Sequence, residues 1–131
     1  TCITGMVLSM LAFFEHPDER VHDIAEHLAG QQMPDGGWNC RSYRGATHSS
    51  FHTTISVLEG LFFYGERFSG QLPGLHNVRQ KAHEFLLIHQ LCCSHRTGEL
   101  VHPTMVRFPF PPRWQYDVLR ALDYFQMTNV E

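Results

Sequence analysis

No stretch of this sequence approaches the roughly 20 consecutive apolar residues that a bilayer-spanning helix needs. The longest apolar runs, such as Phe85 to Ile88, are far shorter, and no basic-then-apolar leader is recognisable, so the reading is of a cytoplasmic protein that is not transmembrane. A basic excess is also lacking: 10 Lys and Arg stand against 13 Asp and Glu, a net charge of -3. A protein that neutralises several phosphates carries the opposite balance, and no nucleic-acid partner is expected. The 4 cysteines, Cys2, Cys40, Cys92 and Cys93, have irregular spacing with two adjacent in the chain, which is no disulfide framework; reduced thiols are the better reading. Alternation of apolar and polar residues at the period of a strand is nowhere sustained. At 131 residues there is room for one domain and no linker.

What is present in excess is histidine, 10 in all, most of it expected to be solvated or capping. The chain also opens Thr1-Cys2-Ile3, without an initiator methionine and straight into an apolar run. The expectation is a single domain, residues 1–131, that forms a portion of a longer protein.

Helical periodicity organises the rest. From Ile3 to Phe14 the residues are apolar on nearly every side, with small ones at Gly5, Ser9 and Ala12, which predicts a helix buried all round. From Pro17 to Gly30 the pattern is amphipathic: Val21, Ile24, Ala25 and Leu28 fall on one stripe and Asp18, Glu19, Arg20, Asp23 and Glu26 on the other. Pro17 suits a first turn, and Gly30 a stop. After a polar loop, a second apolar helix is predicted over Phe51 to Tyr64. A Gly, Ser and Pro loop (Gly65 to Leu75) leads to an amphipathic helix over Asn77 to Leu91, with Asn77 as its N-cap. A long Pro-rich loop from Cys92 to Pro112 then precedes a third apolar helix over Arg113 to Phe125.

These segments repeat. Cys2 to Leu11 superposes on His52 to Leu61 with a displacement of 50 positions, which sets Phe13 over Phe63; His52 to Leu61 superposes on Arg113 to Leu122 with a displacement of 61. Each unit is an apolar helix followed by an amphipathic one. Such a hairpin cannot bury its own apolar surface, so neighbours must stack on it, apolar helices inside and amphipathic ones outside. The expected fold class is all-α, a partial α/α toroid of alternating inner and outer helices.

Between the first two units stands Gln32-Met33-Pro34-Asp35-Gly36-Gly37-Trp38. Gln, three residues, Gly, any residue, Trp resembles the QW motif of squalene and hopene cyclases, and the AspGlyGly form is similar to the return loops of protein prenyltransferase β subunits. Physically, Gln is suited to bond exposed helix ends, a glycine to adopt positive φ, and Trp38 to cover the junction between units. Asp35 reads either as a general acid, after the aspartate motif of those cyclases, or as a loop cap that accepts backbone N–H groups.

Ser50-Phe51-His52-Thr53-Thr54 is similar to the prenyltransferase inner helix whose His binds zinc, and in the repeat register Cys2 stands where that family carries its zinc-binding Cys. The resemblance therefore implies Cys2 and His52 as zinc ligands; Cys40 and His48, on the loop before the second apolar helix, are the candidates for a third and fourth ligand. Equally, Cys2 reads as a small buried hydrophobe and His52 as a helix-terminal residue bonded to a carbonyl. Zinc bound there would hold a substrate thiol as thiolate or polarise a water. Phe51, Trp114, Tyr116 and Asp117 are candidates to line a cavity for an isoprenoid or related apolar substrate, while Phe51 also reads as core and Asp117 as a residue placed to suit a helix dipole. Arg96, Arg107 and Arg113 are candidates to hold a diphosphate. Two functions follow from the resemblance: prenyl transfer or cyclase-like chemistry on isoprenoids, with a partner subunit or the remainder of a toroid implied, or a catalytically silent toroid that binds a lipid or a protein.

Overall fold

Five helices carry the regular structure in this computed structural model, which describes residues 1–68, 72–111 and 113–129. They are α1 (Cys2–Phe13), α2 (Arg20–Gly30), α3 (Phe51–Arg67), α4 (Leu75–Ile88) and α5 (Val118–Thr128), with short 3₁₀ turns at Ser42–Arg44 and Pro103–Val106. Among the described residues there is no strand, only an isolated antiparallel bridge between Cys93 and Leu100, so the chain is all-α. Residues 69–71 of the predicted Gly65 to Leu75 loop, and Pro112, lie outside the described residues.

Three helix starts differ from the sequence expectation, each for a local reason. Helix α2 begins at Arg20 because the Asp18 carboxylate accepts the Arg20 N–H at 2.9 Å, which leaves Pro17 in the lead-in rather than the first turn. Helix α4 begins at Leu75 after Gly74, whose φ of 79° suits a residue without Cβ; Asn77 is therefore inside the helix and not its cap. Helix α5 begins at Val118, where the Asp117 side chain accepts the Arg120 N–H at 2.9 Å. Trp114 and Tyr116 thus stand before the helix rather than on it.

Helix α3 is the centre, with buried side chains around most of its circumference. Helices α1 and α3 run parallel and very close. A Cβ built on Gly5 would stand 2.5 Å from the Ser56 carbonyl oxygen, and one on Gly60 only 2.4 Å from that of Gly5. Further along, Phe13 meets Phe63 edge-on at 6.4 Å, and Glu15 pairs with Arg67 at 3.0 Å. On another side α5 also runs parallel to α3, joined by Arg120 to Glu59 and by Tyr124 against Phe62. Phe13 with Phe63, and Glu59 with Arg120, are the pairs that the displacements of 50 and 61 superpose. The repeat is therefore realised as side-by-side packing of equivalent helices.

Helices α2 and α4 run antiparallel to α3. His22, early in α2, bonds the hydroxyl of Tyr64, late in α3, at 2.8 Å, whereas Leu28, late in α2, receives the indole N–H of Trp38 at 2.7 Å near the α3 start. Phe85, late in α4, packs on Phe51, and Arg79 lies over the Phe62 ring. The amphipathic readings hold: Val21, Ala25 and Leu28 are buried in α2, as are Ala82, Phe85 and Leu86 in α4. Burial all round does not hold for α1. Only Gly5, Leu8 and Ala12 are buried, while Ile3 is 71% and Phe14 75% exposed, because the described chain covers α1 with α2 and α3 alone.

The loop at the first junction behaves as its residues suggest. Gly36 takes φ 93° with its Cα against the Lys81 carbonyl, and Trp38 is 0% exposed. Gln32 donates to the carbonyls of Gly36 and Val78, both at 2.7 Å, and so ties the loop to the side of α4. Asp35 accepts the Ser49 N–H at 2.8 Å and the Ser49 hydroxyl, which closes the far end of the loop.

Candidate functional site

The starts of α3 and α5 and the Pro-rich segment between α4 and α5 frame two clefts that adjoin at His52 and His102. The first, about 630 Å³, is lined by His52, His102, Arg107, Phe108, Arg113, Trp114, Tyr116 and Asp117 among others. The second, about 750 Å³, has His48, Phe51, His52, His89, His95, Arg96 and His102 in its wall.

His52 anchors the shared wall. Its Nδ1 accepts the Tyr116 backbone N–H at 2.8 Å, and its ring lies against Trp114, with centroids 6.0 Å apart, and edge-on to Tyr116. Burial, and then the charges of Arg120 and His102, hold its pKa below that of an ordinary histidine. The ring is neutral at pH 7, and because Nδ1 accepts, the proton sits on Nε2. That nitrogen is a donor.

Arg120 fixes the geometry of the first cleft. Its guanidinium meets the Glu59 carboxylate with Nε and Nη2 at 2.8 and 2.5 Å, and Nη1 donates to the Trp114 carbonyl. One side chain thus ties the α5 start, the flank of α3 and the segment that carries Trp114. Tyr116 is buried, with its hydroxyl bonded to the Leu91 carbonyl, and burial, followed by the charges of Cys92 and Asp117, pushes its phenol well up. It is therefore no acid or base near neutrality. Trp114 stands 59% exposed.

The candidate cavity residues separate accordingly. Trp114, Tyr116 and Asp117 border the first cleft; Phe51 is buried between Phe85, His89 and Tyr116 and reaches only the wall of the second. Asp117 spends its carboxylate on the α5 N-cap and Asp35 on Ser49, so both acids act structurally. Sequence reasoning passed over His102, Phe108 and Arg120. The first two had a signal, since they punctuate the Pro-rich run with Arg107 and Arg113; Arg120 sat on a helix whose partner no pattern names beyond the 61-residue displacement.

The four expected zinc ligands do not gather. Cys2 and Cys40 come together: Cys40 Sγ accepts the Cys2 N–H at 3.2 Å and the Thr53 hydroxyl at 3.3 Å. Burial and the neighbouring Cys40 raise the Cys2 thiol, while at Cys40 burial is outweighed by bonds from Cys2 and Thr53, which lower it. His52, one position before Thr53, turns to Tyr116 instead, and presents a protonated Nε2 to the clefts where a metal would need a lone pair. His48 is exposed, with its carbonyl bonded to Asn39 at 2.7 Å. Among the described residues no three His, Cys, Asp or Glu side chains converge as a metal site. Also among the described residues, no helix is long and apolar enough to cross a membrane.

Compared with protein-family models, with curated proteins and with solved structures, the chain matches none.

Proposed function

We propose that this chain is an α/α toroid domain of the kind its QW-like loop resembles, with α1, α3 and α5 as inner helices, and that the first cleft binds an isoprenoid or related apolar molecule with an anionic head. One observation carries this reading. At the shared mouth of the inner helices an exposed indole and Phe108 stand beside Arg107, Arg113, His102 and the Nε2 donor of His52, with the adjacent acid Asp117 already committed to a backbone N–H. Aromatic faces suit an isoprenoid chain, and guanidinium groups with no carboxylate partner among the described residues suit a phosphate. Binding is the function proposed.

The test uses the protein's own tryptophans. There are 2, and Trp38 is fully buried, so a ligand-dependent change in emission reports Trp114. Farnesyl diphosphate should give a saturable change that disappears in Trp114→Phe, and farnesol a weaker one. Arg107→Ala with Arg113→Ala should weaken the diphosphate by about ten- to a hundredfold, the equivalent of about 1.5–3 kcal/mol for a hydrogen bond to a charged group, and leave farnesol unchanged. Absence of a saturable change with either probe would refute the proposal.

A further inference from the structure

Away from the clefts, the loop that follows α2 passes the start of α1 and brings two free, partly exposed thiols together. The N–H groups of a first helical turn lack partners within the helix. At Cys2 that partner is a sulfur 38 positions along the chain: Cys40 Sγ accepts the Cys2 N–H at 3.2 Å. The Thr53 hydroxyl donates to the same sulfur, and the Cys40 N–H returns a bond to Thr53 Oγ1, both at 3.3 Å. Cys40 is thus held from both sides, with two donors aimed at Sγ and the Cys2 side chain beside it. Thiol–disulfide exchange closes into an internal disulfide where a second thiol lies within side-chain reach of the first. A disulfide joins Cα atoms about 4.4–6.8 Å apart. A Cys40 sulfur 3.2 Å from the Cys2 nitrogen puts the two residues within side-chain reach of each other.

We infer that Cys2 and Cys40 form a redox-active dithiol whose co-reactant is a small disulfide of the glutathione type. The Cys40 thiolate attacks one sulfur of the small disulfide; the S–S bond breaks, a mixed disulfide forms on Cys40, and the first small thiolate leaves and takes up a proton. The Cys2 thiolate then attacks Cys40 Sγ, the mixed disulfide breaks, and the second small thiol departs with the other proton. The protein loses two electrons and two protons, and the small disulfide gains them. The bond formed fastens the start of α1 to the loop that carries Trp38. Cys92 and Cys93, with sulfurs 3.8 Å apart, provide an internal control. Consecutive Cα atoms lie about 3.8 Å apart across a trans peptide, below the usual disulfide span, so this pair stays reduced.

The experiment is incubation of the full chain with oxidised glutathione, quenching with an alkylating agent, and intact-mass and peptide mapping. The expected product has lost two hydrogens, carries no glutathione, yields a peptide that links Cys2 to Cys40, and is alkylated at Cys92 and Cys93. Cys2→Ser should trap glutathione on Cys40, and Cys40→Ser should trap it on Cys2, since neither variant keeps the second thiol that releases it. Stable glutathione on both residues of the unaltered chain would overturn the inference, as would oxidation confined to Cys92 and Cys93. Protection of Cys2 and Cys40 from alkylation that is abolished by a chelator and not by dithiothreitol would also overturn it, because metal ligation would then explain the pair. The mapping of the unaltered chain decides the matter even if a serine variant fails to fold.

Discussion

Replacing Gly60 by alanine tests the closest contact in the fold. The new methyl would stand 2.4 Å from the Gly5 carbonyl oxygen and 3.3 Å from Leu8 Cβ. An unstrained carbon-to-oxygen approach is about 3.3 Å, so relief needs the two helix backbones to part by close to 1 Å, since the opposing atom is main chain and cannot rotate away. Overpacking of this kind costs about 1–3 kcal/mol. Alanine recovers close to 1 kcal/mol of helix propensity over glycine, which leaves a net loss of up to about 2 kcal/mol, or up to roughly 8 °C in Tm for a domain of this size. Gly30, at the end of α2 with nothing within 4 Å of its Cβ position, supplies the control: Gly30→Ala should gain about 0.5 kcal/mol. The two signs should be opposite. Gly5→Ala faces the Ser56 carbonyl at 2.5 Å, and once one variant has parted the helices the second costs less, so the double variant should lose less than the sum. Differential scanning calorimetry of the five proteins measures all of this. If Gly60→Ala were as stable as Gly30→Ala, the close parallel crossing of α1 and α3 would be wrong.

Trp38→Ala should cost about 3–5 kcal/mol by chemical denaturation, because a fully buried indole leaves a cavity and the Leu28 carbonyl loses its 2.7 Å donor. His83 is 8% exposed and bonded to the Tyr124 hydroxyl at 2.9 Å; burial, then the charges of Arg79 and His76, lowers its pKa from 6.5 to about 4. The unfolded chain therefore takes up this proton first, and stability should fall by up to about 2–3 kcal/mol as pH drops from about 6.5 to about 4. His83→Gln should flatten that slope in thermal melts while lowering Tm at pH 7. Arg120→Met leaves the Glu59 carboxylate without its 2.5 Å partner in a site where both side chains are about one-fifth exposed; a double-mutant cycle with Glu59→Met should report a coupling of about 1–3 kcal/mol.

The helices and their pairing were legible because apolar periodicity is a property of the chain itself. Phe13 over Phe63 and Glu59 over Arg120 are repeat-aligned pairs that became packed pairs, since equivalent helices lie side by side in register. The loop 32–38 was equally readable: a sharp return needs Gly36 at positive φ, and an indole that large must be covered. Helix starts were less so. Whether Asp18, Gly74 or Asp117 opens a helix depends on which side chain reaches an unpaired N–H, and several residues in each segment have the chemistry to compete. The site was only half legible. Repeat register set Cys2 and His52 at equivalent helix starts, but the direction each side chain takes is decided by neighbours from elsewhere: Cys40 captures the Cys2 N–H, and the Tyr116 N–H captures His52. The His83 and Tyr124 pair, 41 positions apart, had no sequence signal at all.

Photo-crosslinking with a diazirine-bearing farnesyl diphosphate tests the proposed binding cleft most directly, because the α1 flank also exposes apolar side chains and lacks the framing that Arg107 and Arg113 give the cleft. The account predicts labelled peptides that contain Phe108 and Trp114, competed by unlabelled farnesyl diphosphate and reduced in Arg107→Ala with Arg113→Ala. Labelling concentrated instead on Ile3, Met10, Phe13 and Phe14 of the open α1 flank, without competition, would contradict it.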